Sequence, residues 1–471
     1  MSIKPSEFHV DPDDIFAHDK LGREAEVKNI EELLVNLPSP LTLAISSPWG
    51  TGKTSFAKML QAHLASNGHP AVYFNAWATD FADDPLTAFL GEMNEHLSDY
   101  FSKDPKKKES WAKAKQTGIY LAKKVLPVAL NIGTAGIINL DSSVEDKISQ
   151  LMGDVTEDAI SSYTKDKEKI KEFKKHVSNI VSDDQANSIY IFVDELDRCR
   201  PNYAIELLER IKHLFNISGI KFILSMDKGQ LSHSISGMYG TNFDGSGYLK
   251  RFIDIEYKLK TPDILKYAEH LFNEVGLSET FVERQKALRG PAHDKSELLS
   301  VFELLAKGHE LSLRDTEQYV ARLKIFYYSV ETGYLSYTYI AAFIVYLQMF
   351  RHEALTHRSP NLIRKALVNE IRRLAELAGE RYGRTAAVLE AHVVVMLFGE
   401  QWETDTSLRD SHEEIKNRPT STPDEREYSN MVVYISDSLI NRMMSRGISY
   451  SYIYDKVMML DRFTFPNTVD K

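Results

Sequence analysis

Residues 41–55 read LTLAISSPWGTGKTS, and this stretch decides the fold. Leu41–Ile45 is an apolar run of the length a buried strand takes, and the residues from Lys53 to about Ser66 follow a helical pattern. Between them sits the turn GTGKT, Gly50 to Thr54. Strand, glycine turn, helix is the setting that a phosphate-binding loop demands. The glycines let the backbone wrap close to a polyphosphate, so that amide N–H groups and a helix N-terminus face the anion. Lys53 is placed to reach β- and γ-phosphates, and the Thr54 hydroxyl to ligate Mg²⁺. The usual pattern opens with glycine where this chain has Ser47. A small residue at a strand exit predicts altered geometry without loss of binding.

Working outward, Asn67 and Gly68 close the helix and Ala71–Phe74 reads as a second strand, which completes one βαβ unit. Upstream, Val27, Ile30, Leu33, Leu34 and Leu37 fall at helical spacing until Pro38 and Pro40 break the pattern. Far downstream the buried run Ser188–Val193 ends in Asp194 and Glu195. Carboxylates at the tip of a central strand lie beside the phosphate loop in such sheets. Asp194 is placed to hold Mg²⁺ and Glu195 to orient or activate the attacking water; the adjacent pair favours hydrolysis over kinase chemistry. Strand patterns at Lys221–Ser225 and Ile253–Leu259 complete an α/β fold, a parallel sheet flanked by helices.

After Pro262 almost every segment reads as helix, so the expected division is a phosphate-loop domain over 1–262 and an all-α region over 263–471. Residues 102–182 form an insertion within the first domain. It carries eight lysines against two acidic residues in 102–124, then the apolar run Val125–Leu140 and a long charged helix over 144–182. The lysines are either a solvated face or a contact for DNA, RNA or anionic lipid. The apolar run is too short for a simple membrane span. Residues 404–427 are polar, contain proline and read as a surface loop. The formal charge of −10 argues against general polyanion binding, so any nucleic-acid contact is local. The single cysteine, Cys199, rules out an internal disulfide. With a polar N-terminus, it points to the cytoplasm, with peripheral attachment at the inner face of the membrane as the alternative. No histidine pair stands at metal-ligand spacing in a suitable setting, so no transition-metal site is expected.

The chain resembles the KAP family of P-loop NTPases. The matching segments are PWGTGKTS (48–55), FNAW (74–77), FVDELDRC (192–199) followed by Pro201, FILSMD (222–227) and YLKRF (248–252). Together they span about residues 20–330. The resemblance implies an ATPase core related to the AAA+ branch, found among bacterial anti-phage systems and mobile elements, and it is the ground for choosing ATP with Mg²⁺. It implies a nucleotide-contacting set of Pro48, Trp49, Gly50, Thr51, Gly52, Lys53, Thr54 and Ser55. Arg23 follows a glycine in a segment like the one that frames the adenine. Asp227 matches a polar residue that senses the γ-phosphate, or else serves as a helix N-cap. Arg251 matches an arginine that reaches a neighbouring subunit's nucleotide in a homo-oligomer, or else is a solvated arginine. Arg314 matches an arginine that contacts the γ-phosphate from the helical domain, or else makes a local salt bridge. Trp77 is a core or interface aromatic, or a base-stacking group. The expected partners are further copies of the chain and effector proteins encoded nearby. The two functional readings are an ATPase that drives or gates a defence complex, and a nucleotide switch or scaffold in which binding outweighs turnover.

Overall fold

The computed structural model describes residues 8–82, 84–102, 104–124, 157–181, 188–240, 242–288, 294–330, 338–356, 360–396, 407–443 and 450–462. The apolar run Val125–Leu140 lies outside the described residues. The described chain divides between Thr261 and Pro262 into two compact units.

The first unit is built on five strands: β1 (Leu41–Ser46), β2 (Ala71–Asn75), β3 (Ile189–Asp194), β4 (Ile220–Met226) and β5 (Ile255–Lys258), in the order β2-β3-β4-β1-β5. All four pairings are parallel. Parallel strands need helical crossovers, and those cover both faces, so β3 and β4 are buried along their whole length. Alternate residues feed two cores. Tyr190, Phe192 and Ile223 pack with α1 (Glu24–Asn36) and α2 (Lys53–Ser66). Ile191, Val193, Phe222 and Leu224 face the other side.

That second face is covered in part by the lysine-rich segment. In α3 (Pro85–Ser102), Leu86, Phe89, Leu90, Met93 and Leu97 recur at helical spacing, and all are at most 4% exposed. In α4 (Pro105–Lys124), Trp111, Ala114 and Leu121 point inward, while Lys106, Lys108 and Lys113 are exposed. α5 (Glu157–Ser178) adds Phe173 and Val177 to the same core. Gly118 permits the close approach of these three helices, because a Cβ there would stand 2.5 Å from Leu90 Cδ1 and 3.2 Å from Phe173. Crossovers α6 (Pro201–Leu214) and α7 (Lys228–Tyr239) complete this layer.

The second unit is helical throughout its described residues. Thr338–Phe350 is buried on all sides except its ends and forms its centre. The expected loop at 404–427 is not one: Ser407–Asn417 is a helix, and Pro423 opens another that runs to Met443. His412 is the reason, because it is buried and lies 2.8 Å from Oε1 of the buried Glu390, which also accepts from Arg372 and Tyr428. Among the described residues no helix is long and apolar enough to cross a membrane.

Phe89 packs edge-on against Phe74 and Phe215 and stacks on Phe222, which ties α3 to the sheet. Phe89→Ala is expected to cost about 3–5 kcal/mol, seen as a lower denaturation midpoint of the first unit. A loss below about 1 kcal/mol would mean that this layer is not part of the core.

Candidate functional site

Strand β1 delivers the chain to the loop 47–52 at the C-terminal edge of the sheet, beside the tip of β4. Ser47 N donates to Met226 O at 3.3 Å, which fixes where the loop begins. Gly50 and Gly52 have φ of 74° and 84°, a region that side chains disfavour, and Gly52 leads directly into α2. The Lys53 ammonium turns back across the loop and donates to Ser47 O (2.6 Å) and Pro48 O (3.1 Å). Burial lowers its pKa, opposed by the carboxylates of Asp197, Asp227 and Asp194. Thr51 Oγ1 donates to Pro48 O at 2.8 Å.

Strand β3 brings the acids. Its register sets Asp194 level with Asn75 of β2 and Ser225 of β4. Asp194 is 1% exposed, so its charge needs donors: Tyr73 Oη donates to Oδ2 (2.6 Å) and the Glu195 amide to Oδ1 (2.9 Å). Burial, reinforced by Asp194, pushes the Tyr73 hydroxyl well above its ordinary range, so it stays a donor. Glu195 has φ of 60°, a left-handed backbone that is uncommon for a non-glycine residue. Its Oε2 accepts from Asn75 Nδ2 (3.0 Å), and its Oε1 is ion-paired with Arg198 Nη1 (2.9 Å). Trp49, Gly50, Gly52, Lys53, Thr54, Asp194, Glu195, Asp197 and Arg198 line one cleft of about 160 Å³. A cavity of about 210 Å³ at the opposite end of the strands is lined by Leu208, Ile211, Phe215 and Phe252 together with Lys212, Asn216 and Asp254. There Lys212 donates to Arg251 O and Asp254 accepts from Thr42 N.

The other expected site residues divide into those near the cleft and those away from it. Pro48 accepts from Thr51 and Lys53, and Ser55 is half-buried in the first turn of α2. The Trp49 indole N–H donates to Asp197. Arg23 is turned toward the loop backbone: it is 2% exposed, and Nη2 donates to Thr51 O and Lys260 O, both at 3.0 Å, while Nη1 pairs with Glu26. Asp227 caps α7 by accepting from Gln230 N at 3.1 Å, and its charge also acts on Lys53. Arg251 lies just ahead of β5, at the end of the sheet away from the loop, with its guanidinium over the Tyr248 ring. Arg314 belongs to the second unit, exposed in the first turn of Leu313–Ser329, a helix closed by a Ser312–Asp315 capping box. Trp77 is 52% exposed, with the Arg198 guanidinium 5.4 Å from its ring centre. Cys199 is buried, and burial pushes its thiol up.

Tyr73, Asn75 and Arg198 were not anticipated as partners of the acids. Nothing in linear order signals that a tyrosine 121 positions away donates to Asp194. Only the pairing of β2 with β3 reveals it.

A parallel sheet with a glycine loop, an inward lysine and two acids at the adjoining strand tips defines a P-loop nucleotide-binding domain. Residues 23–330 match the KAP family P-loop domain, and the chain belongs to that family. No curated protein matches the chain. Two of the solved structures similar to it show the extent of the likeness. One is the ORC2 protein of Aeropyrum pernix in ADPNP–ADP complexes, with 12% identity over 94% of each chain and a TM-score of 0.31. The other is AMPPCP-bound DnaA from Aquifex aeolicus, with 13% identity over 78% of this chain and 92% of that one and a TM-score of 0.22. At these scores neither likeness bears on the site.

Tyr73→Phe leaves the buried Asp194 carboxylate short of a donor. The expected loss is roughly 1.5–3 kcal/mol of stability in chemical denaturation. An unchanged midpoint would show that the hydrogen bond is not needed.

Proposed function

We propose that this chain binds and hydrolyses Mg–ATP. The observation that carries this reading is the meeting of Lys53 and Thr54 with Asp194 and Glu195 in one small cleft at the C-terminal edge of a parallel sheet. The Lys53 ammonium exchanges the Ser47 and Pro48 carbonyls for β- and γ-phosphate oxygens, and the amides of residues 50–54 enclose the polyphosphate. Thr54 and Asp194 would hold Mg²⁺. Among the described residues there is no group of three or more His, Cys, Asp or Glu that could hold a metal ion by itself. When bound, that ion neutralises charge on the β- and γ-oxygens. Glu195 takes a proton from water as the water oxygen attacks the γ-phosphorus. The bond between that phosphorus and the bridging oxygen breaks, and ADP leaves with the electron pair.

At the level of assembly, the family likeness supports an ATPase that drives or gates a multi-protein complex, of the kind found in bacterial anti-phage defence. Its cytoplasmic copies form a homo-oligomer with effector proteins encoded nearby. Arg251, remote from its own cleft, serves a neighbouring copy's nucleotide. The exposed lysines of α4 stay in reserve for nucleic acid or anionic membrane. A switch in which binding outweighs turnover is the second reading. It is favoured by the two donors that already engage both oxygens of Glu195.

Lys53→Ala is expected to abolish ATP uptake in calorimetry, whereas Glu195→Gln keeps uptake and slows phosphate release by about 10²–10⁴. Uptake undiminished in Lys53→Ala would refute the site. Protection against phage retained by Glu195→Gln but lost in Lys53→Ala would select the switch; plaque counts unchanged by both would remove the defence role. Arg251→Ala chains are expected to regain turnover when mixed with Glu195→Gln chains, since each supplies what the other lacks. Failure of the mixture to exceed either variant alone would place Arg251 outside the reaction.

A further inference from the structure

The short turn after Glu195 holds a cation with two attachments and little burial. Arg198 Nη1 is 2.9 Å from Glu195 Oε1, and the side chain is 41% exposed. Its guanidinium rests over Trp77, itself open to solvent. Arg198 lines the same cleft as Lys53 and Thr54. Burial lowers the Lys53 pKa, three carboxylates oppose that, and the Arg198 charge adds a smaller lowering influence. Two cations therefore face one small space that Asp194, Glu195 and Asp197 also line, and phosphate oxygens are the ligand atoms that both cations can bind. Arg198 on Oε1 and Asn75 on Oε2 each occupy one lone pair of the Glu195 carboxylate, and the arginine's charge makes that carboxylate a weaker acceptor for water's proton.

We propose that Arg198 reads the terminal phosphate of a nucleoside triphosphate, leaving Glu195 for the γ-phosphate and so freeing the carboxylate to orient water. The inference rests on reading the cleft as the ATP site. An ion pair open to solvent on the arginine side and held by one contact contributes less than a guanidinium fork on phosphate, which is among the stronger charge-assisted contacts. The exchange is therefore downhill only when a third phosphate is present. A diphosphate leaves the Arg198–Glu195 pair closed. Trp77 parks the guanidinium beside the cleft in the meantime, by cation–π attraction.

The test compares AMPPNP and ADP affinities by calorimetry, together with phosphate release from ATP, in the wild-type chain, Arg198→Ala, Arg198→Lys and Lys53→Ala. Arg198→Ala is expected to weaken AMPPNP roughly tenfold to a hundredfold, leave ADP within about twofold, and lower turnover although Glu195 has lost its ion pair. Arg198→Lys should recover part of the AMPPNP affinity, since it keeps the charge and loses the fork. Equal weakening of both nucleotides, or an unchanged AMPPNP-to-ADP ratio with faster turnover, would overturn the proposal and leave the pair as a simple brake. If the wild-type chain takes up nucleotide and Lys53→Ala does not, such a result removes the role of Arg198 alone. Absence of uptake by the wild-type chain removes the site and this inference together.

Discussion

A charged carboxylate at the end of a central strand, 1% exposed, is costly unless donors surround it, and the arrangement around Asp194 follows from that cost. One donor is Tyr73, which requires β2 to run beside β3 in the observed register. The other is the amide of Glu195, a residue whose own backbone is left-handed. The Glu195 side chain reaches Asn75 and Arg198. The two acids are thus joined through one backbone amide at the tip of β3.

The phosphate-binding loop is secured in a comparable way from beneath. Its Lys53 is spoken for by loop carbonyls, and its Thr51 carbonyl is held by Arg23. The same guanidinium nitrogen binds Lys260 O, one residue before the first unit ends. Loop backbone, the start of α1 and the exit of β5 therefore share one buried cation. A change in any of the three is felt by the others through a single side chain that has little freedom to move.

Several features were legible in linear order because the physics that sets them is local. The apolar run 41–45, the glycines of the turn and the paired acids after 188–193 each carry their own signal, and each stands where it was expected. The strand expected over Ile253–Leu259 is shorter, Ile255–Lys258, as it pairs on one side only, with β1. The polar stretch 404–427 has a loop's composition yet contains helix, with a buried contact between His412 and Glu390, a residue 22 positions away. Composition alone makes such a stretch look like a loop.

Residue order by itself determined the class of fold, the phosphate loop and the identity of the two acids, since strand periodicity, glycine freedom and helix patterning act over a few residues. Only the tertiary structure decided what surrounds those acids. Tyr73 and Asn75 reach β3 through sheet pairing across more than a hundred residues, and Arg198 settles on Trp77 from a different turn. It also decided that the lysine-rich helix lends one face to the core, and that Arg23 serves the loop backbone. Such contacts depend on which elements become neighbours, and that is set by burying apolar surface from the whole domain, which no local pattern encodes.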